Sequence, residues 1–162
     1  MISGRTGPRG ALLDVYQQAL SDLKKTVEGI ADADLVIITD PQTSDENCRS
    51  LQTILAHVVN SGYGYATYIN NLNSPRKERP AKVFRLTVKE FIHDLDEMFA
   101  FTEEVFSRIK DEEVEQNNNE LKMITGWGQF YDIEQLTEHA IVHVLRHRRQ
   151  IERIKLSFNF LK

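Results

Sequence analysis

Apolar positions along this chain recur mostly at steps of three and four, the spacing of one face of an α-helix. In the first such segment, residues 12–30, they fall at Leu12, Tyr16, Leu20, Leu23, Val27 and Ile30. The second, residues 51–72, carries Leu51, Leu55, Val58, Gly62, Tyr65, Ile69 and Leu72. Ser61, Gly62, Gly64 and Ala66 make part of its surface small, so another helix or a ligand can approach the backbone closely, at some cost in helix propensity. The third, residues 88–109, aligns Phe91, Leu95, Met98, Thr102, Val105 and Ile109. The fourth, residues 133–156, aligns Ile133, Leu136, Ala140, Val144, Ile151 and Ile154.

The punctuation agrees with this division. Ser50 is placed to cap the second segment, and Thr87 with Glu90 and Asp132 with Gln135 form capping boxes before the third and fourth. Residues 40–44 and 111–119 read as loops on composition, and residues 73–80, with two prolines and four charges, as an exposed loop. Residues 121–130 contain Gly126-Trp127-Gly128, which interrupts a helix; they read as an ordered connector. Four amphipathic segments of this length predict an all-α four-helix bundle, with a long connection between the second and third helices, in a single domain covering residues 1–162.

Composition narrows the class. At 41% hydrophobic and 27% charged residues, the chain matches an ordinary soluble globular domain. A net charge of −4 gives no general attraction to nucleic acid or to an anionic membrane. No run approaches the roughly 18 apolar residues of a membrane span, and Arg5 and Arg9 are not followed by the apolar stretch of a secretory signal. The lone Cys48 excludes an intrachain disulfide or a multi-cysteine metal site and suits a reducing compartment, so the expected location is cytoplasmic. The basic cluster Arg146, Arg148, Arg149, Arg153 and Lys155 lacks the interleaved aromatics of a single-strand binder. It reads as cations near a helix end, paired with acidic side chains of the third segment.

The histidines carry the candidate chemistry. Of five, His139, His143 and His147 lie on the fourth segment at steps of four. At about 100° per residue such a step drifts by about 40°, so His143 and His147 sit one turn apart within the apolar stripe, while His139 falls toward its edge. Two imidazoles directed into a bundle each need a partner for a ring nitrogen, and a divalent metal satisfies both as neutral ligands. On the second segment His57 lies beside the stripe, on the flank of Ile54, Ser61 and Tyr68, where packing against the fourth segment would complete a three-histidine site. His93, between charged neighbours, reads as a surface residue. Other metal patterns fail: the HExxH motif is absent, and Glu90-Phe91-Ile92-His93 is the single Glu-x-x-His match where a di-iron bundle needs two.

Residues 51–59, with His57, and the run His143-Val144-Leu145-Arg146-His147-Arg148-Arg149-Gln150-Ile151 resemble the DinB/YfiT-like superfamily of four-helix-bundle metalloproteins. The family pattern places one histidine on the second helix and H-x-x-x-H-R-x-Q on the last. Arg149 departs from it, standing where glycine is common. The resemblance implies a DinB-like domain holding a divalent metal through His57, His143 and His147, with nickel or zinc favoured over manganese or iron. It also implies a metal-dependent enzyme, a hydrolase or a thiol S-transferase, acting on a small molecule that includes, in the latter case, a low-molecular-weight thiol. No catalytic residue is assigned. Gln150 is placed to orient a ligand or substrate, and Tyr65, Tyr68, Trp127 and Tyr131 are candidate pocket walls. The alternative is a non-catalytic bundle whose metal site is structural, sensory or vestigial. A homodimer fits either reading; a nucleic-acid or membrane partner fits neither.

Overall fold

The computed structural model describes residues 4–158 and shows four helices: α1 (Gly7–Val27), α2 (Leu51–Asn73), α3 (Val88–Phe106) and α4 (Ile133–Phe158). They form a ring in which α1 packs against α4, α4 against α2, α2 against α3 and α3 against α1. The expected all-α bundle is therefore observed. Phe91, Leu95 and Met98 of α3, Leu51 and Leu55 of α2, Leu23 of α1 and Leu136 and Ile151 of α4 are buried at its centre. Each contributes roughly 1.5–3 kcal/mol through removal of apolar surface from water.

The helix starts follow the cap chemistry. The Ser50 hydroxyl accepts from the Thr53 amide, and the Ser50 amide donates to the Thr53 hydroxyl. Thr87 and Glu90 make the reciprocal pair before α3. The Asp132 carboxylate accepts from the amide of Gln135 at 2.8 Å, and the Gln135 side chain accepts from the amide of Asp132. Helix α1 begins earlier than apolar spacing indicated. Thr6 is extended and Pro8 lies in the first turn, where its fixed φ and missing N–H suit a helix start. Helix α3 ends earlier, at Phe106, because the amides of Arg108 and Ile109 turn to the carbonyls of Val105 and Phe106 three residues back.

Connector residues supply two further features. The segment read as an ordered connector holds a short antiparallel ribbon, β1 (Met123–Ile124) with β2 (Phe130–Tyr131), in register Met123 to Tyr131 and Ile124 to Phe130. Two-residue strands are too short to show alternation in the sequence. The ribbon's turn presents Trp127, and the Tyr68 hydroxyl of α2 accepts from the Gly126 amide at 2.7 Å. Between α2 and α3, residues 74–87 are tied back to α2, with Asn60 donating to the Pro80 carbonyl and Gln52 to the Arg85 carbonyl, each at 2.9 Å. Among the described residues, Arg148 and Lys155 of the basic cluster find partners on α1 and α4 rather than on α3, since α1 is their neighbour. Arg148 pairs with Asp22 and Glu152, and Lys155 donates to the Thr26 carbonyl.

The small face of α2 lets α3 approach. A Cβ at Gly62 would stand 2.4 Å from Sδ of the fully buried Met98. Gly62→Val is therefore expected to destabilise the fold by about 1–3 kcal/mol through overpacking, despite the conformational cost of glycine in a helix. Urea unfolding of the two proteins measures it.

Candidate metal centre

Helices α2 and α4 bring three imidazoles to one point. His143 and His147 project from consecutive turns of α4, with ring centroids 4.5 Å apart. The ring of His57 stands 4.8 Å from that of His143 and 5.2 Å from that of His147, edge to face in each case. The Nε2 atoms of His57 and His143 are separated by 2.9 Å. One ligand nitrogen from each of the three residues can be chosen so that all lie within 4.8 Å of one another. Two nitrogens on one ion, each at about 2.0–2.1 Å, lie no more than about 4.2 Å apart. The closest pair is within that span, and the bound on the whole set exceeds it only slightly.

The surroundings fix how these rings present their nitrogens. His147 Nδ1 lies 2.9 Å from Gln150 Oε1, an atom that only accepts, so Nδ1 carries the proton and Nε2 the lone pair. His57 Nδ1 lies 3.4 Å from the Ser61 hydroxyl, one turn along α2. With Nδ1 of His57 donating there, its Nε2 lone pair faces the nitrogen of His143. Lone pairs at that separation repel unless a proton or a cation stands between them. The donor chemistry therefore fits a divalent metal, for which neutral imidazole is an ordinary ligand.

The imidazoles are held uncharged. Burial, then the charges of His147 and Lys82, push His57 down to about 4. Burial, reinforced by His147 and His57, pushes His143 to about 3. His147, only 4% exposed, is also lowered by burial, and its bond to Gln150 partly opposes the shift.

His139 lies outside the cluster, as its position on the helical wheel indicated. It stacks on Trp127 at 5.4 Å with the ring planes 26° apart, and its Nδ1 lies 3.4 Å from the Tyr131 hydroxyl. Tyr65, Tyr68 and Trp127 line a cavity of about 490 Å³ that also reaches His57 and His139. Tyr131, expected as a fourth wall, does not line it, because its ring is packed on Trp127 and His139. His93 is exposed, and Arg149 is exposed as well, so the departure from the motif at that position does not reach the cluster.

Sequence reasoning missed three contributors, all on irregular segments. Cys48 places its sulfur 3.9 Å from Gln150 Oε1 and 3.4 Å from Asp45 Oδ2. Burial raises the pKa of this thiol, so it is not an activated thiolate. The Asp45 carboxylate, kept ionised chiefly by the Asn47 amide, acts electrostatically on both His57 and His147. Arg79, in the connection after α2, lines the cavity. No periodicity marks loop residues, and only the fold brings them here.

Comparison with known proteins adds one finding. The model of the DinB family matches residues 6–153, a span that includes all four helices up to the last turns of α4. No curated protein and no solved structure matches the chain.

The depressed imidazoles make a prediction about the metal-free protein. The unfolded chain takes up protons near pH 6.5 that folded His57 and His143 refuse until about 4 and 3. Stability conferred by the neutral rings is thus complete above pH 6.5 and declines as the pH falls toward those values. Thermal melting of chelated protein between pH 7.5 and about 5 should show a steeper loss for the native chain than for His143→Gln.

Proposed function

The chain belongs to the DinB family, and on that premise we propose that it is a metal-dependent enzyme acting on a small molecule bound beside His57. The observation that carries the reading is the convergence of His57, His143 and His147, with two ring nitrogens 2.9 Å apart, beside an aromatic-walled cavity that His57 lines. These three residues would hold a divalent ion, nickel or zinc before manganese or iron. Such an ion supplies Lewis acidity, polarising a carbonyl or lowering the pKa of a water or thiol at the site.

The protein's own residues have separable duties. Gln150 holds the His147 ring in one tautomer and one orientation, and the Ser61 hydroxyl, able to donate or accept, lies beside His57 Nδ1. Three protein ligands, rather than four, leave room for a reacting group, which is the pattern of catalytic rather than structural sites. The Asp45 carboxylate stabilises positive charge in the cluster without entering the triad. Tyr65 and Trp127 form apolar walls of the cavity, and their rings stand 6.4 Å apart at near right angles. The reaction classes this arrangement supports are hydrolysis of an ester or amide and transfer of a low-molecular-weight thiol.

Elemental analysis tests the foundation. We expect about one nickel or zinc per native chain after loading, and loss of that metal in His143→Ala and in His57→Ala, with circular dichroism confirming that the variants fold. A native chain that stays metal-free when these ions are offered would remove the proposal. Gln150→Leu should keep the stoichiometry but weaken metal affinity about 10–100-fold, read by competition with a chelator. Metal-loaded protein should then turn over in a screen of activated esters or thiol conjugations. Inertness across both would favour a bundle whose metal is structural or sensory.

A further inference from the structure

We propose that the cavity beside the histidine cluster is a subsite for a small organic carboxylate bearing a flat apolar group, the carboxylate on Arg79 and the flat part against Trp127 and Tyr68. In calling that ligand a substrate the inference rests on the metal-dependent reading above; the binding itself does not.

One face of α2 leads from the cluster into the cavity. His57, Ser61, Gly64, Tyr65 and Tyr68 all line it, at spacings that place them on successive turns of a single side. The facing wall is Trp127 stacked on His139. Trp127 remains 48% exposed although its neighbours Tyr65 and Tyr68 stand edge-on to it at 6.4 and 6.3 Å. The result is a flat, apolar surface of the kind that takes a planar group by offset or edge contact. At about 490 Å³ the space suits a small molecule.

Arg79 supplies the polar end. It is the one formally charged side chain lining this cavity, which has no Asp or Glu in its walls. Burial lowers the pKa of His139, so that ring adds no second cation. Of the neighbouring cations, Lys77 pairs with Glu104 and Arg85 with Asp94 through two nitrogens, while Arg76 lines the adjoining hollow and not this cavity. Among the described residues Arg79 makes neither an ion pair nor a hydrogen bond, and Glu78, which shares an adjoining hollow with it, does not pair with it. The Arg79 side chain is exposed, and its stem lies across the bare backbone at Gly64, where an added Cβ would sit 3.1 Å from Arg79 Cδ and 3.2 Å from Nη1. The next residue, Pro80, is anchored to α2 through Asn60. A guanidinium with no partner of its own matches a carboxylate in charge and in bidentate geometry. A ligand so held would extend its far end along α2 toward His57.

Trp127, the only tryptophan in the chain, reports occupancy of the cavity by its fluorescence. The probes are 4-phenylbutyrate and its uncharged amide, titrated into the full chain after chelation and again after zinc loading. We expect saturable change with both, with the carboxylate tighter by about tenfold or more in the chelated protein. In Arg79→Gln that preference should disappear while the amide binds as before. Equal binding of carboxylate and amide to the native chain, or no saturable response, would overturn the inference. So would a preference that survives in Arg79→Gln and vanishes on chelation, since the metal would then be the anion's anchor. Arg79-dependent binding by a chain that takes up no metal would sustain the subsite and defeat the enzymatic reading alone.

Discussion

Three uncharged imidazoles pressed together between two helices form the constraint on which this structure depends. Burial lowers the basicity of all three rings, and the charge of His147 lowers that of His57 and His143 further, so the cluster is kept uncharged in the neutral range. Each ring in that state offers one lone pair, and two nitrogens 2.9 Å apart must share a proton or a cation between them. The rest of the architecture can be understood as the means of holding that arrangement. Close approach of α2 and α4 supplies the distance. The capping hydrogen bonds at Ser50 and Asp132 fix where each helix starts, and the start sets the angular position of every later side chain, including His57 and His143.

The bundle also divides labour between its regular and irregular parts. Helices carry the imidazoles and the residues that orient them, Ser61 and Gln150. The turn of the short ribbon carries Trp127, and the connection after α2 carries Arg79. Positions that demand accuracy of a fraction of an ångström thus lie on rigid elements, and those that shape recognition lie on loops supported by them.

Much of this was legible in the residues. Apolar spacing located all four helices, because each buries a continuous stripe; the Thr87–Glu90 and Asp132–Gln135 boxes located two starts to the residue. His143 and His147 were readable because an i, i+4 pair on a buried face has few inexpensive explanations. His57 was readable only as a residue at the edge of a stripe, and the family pattern on both helices was what joined it to the others. The start of α1 was hidden because Gly7, Pro8 and Arg9 carry no apolar signal. The ribbon was hidden because its strands are two residues long. Cys48, Asp45 and Arg79 were hidden for a more general reason. Their proximity to the cluster comes from the path of connecting segments, which hydrophobic spacing does not encode. The partners of the basic residues on α4 depended likewise on which helix lay alongside, and that was α1.

The hydrogen bond from the Gly126 amide to the Tyr68 hydroxyl is the direct polar link described here between the ribbon's turn and helix α2. The remaining contacts of this wall with the helices are largely aromatic, and such contacts tolerate change at the turn itself. Insertions or exchanges in the turn could remodel the chamber's size and lining while the histidine-bearing helices kept their phase. A new cavity lining could therefore arise in this scaffold by rewriting a handful of codons far in sequence from His57, with the histidine cluster inherited intact.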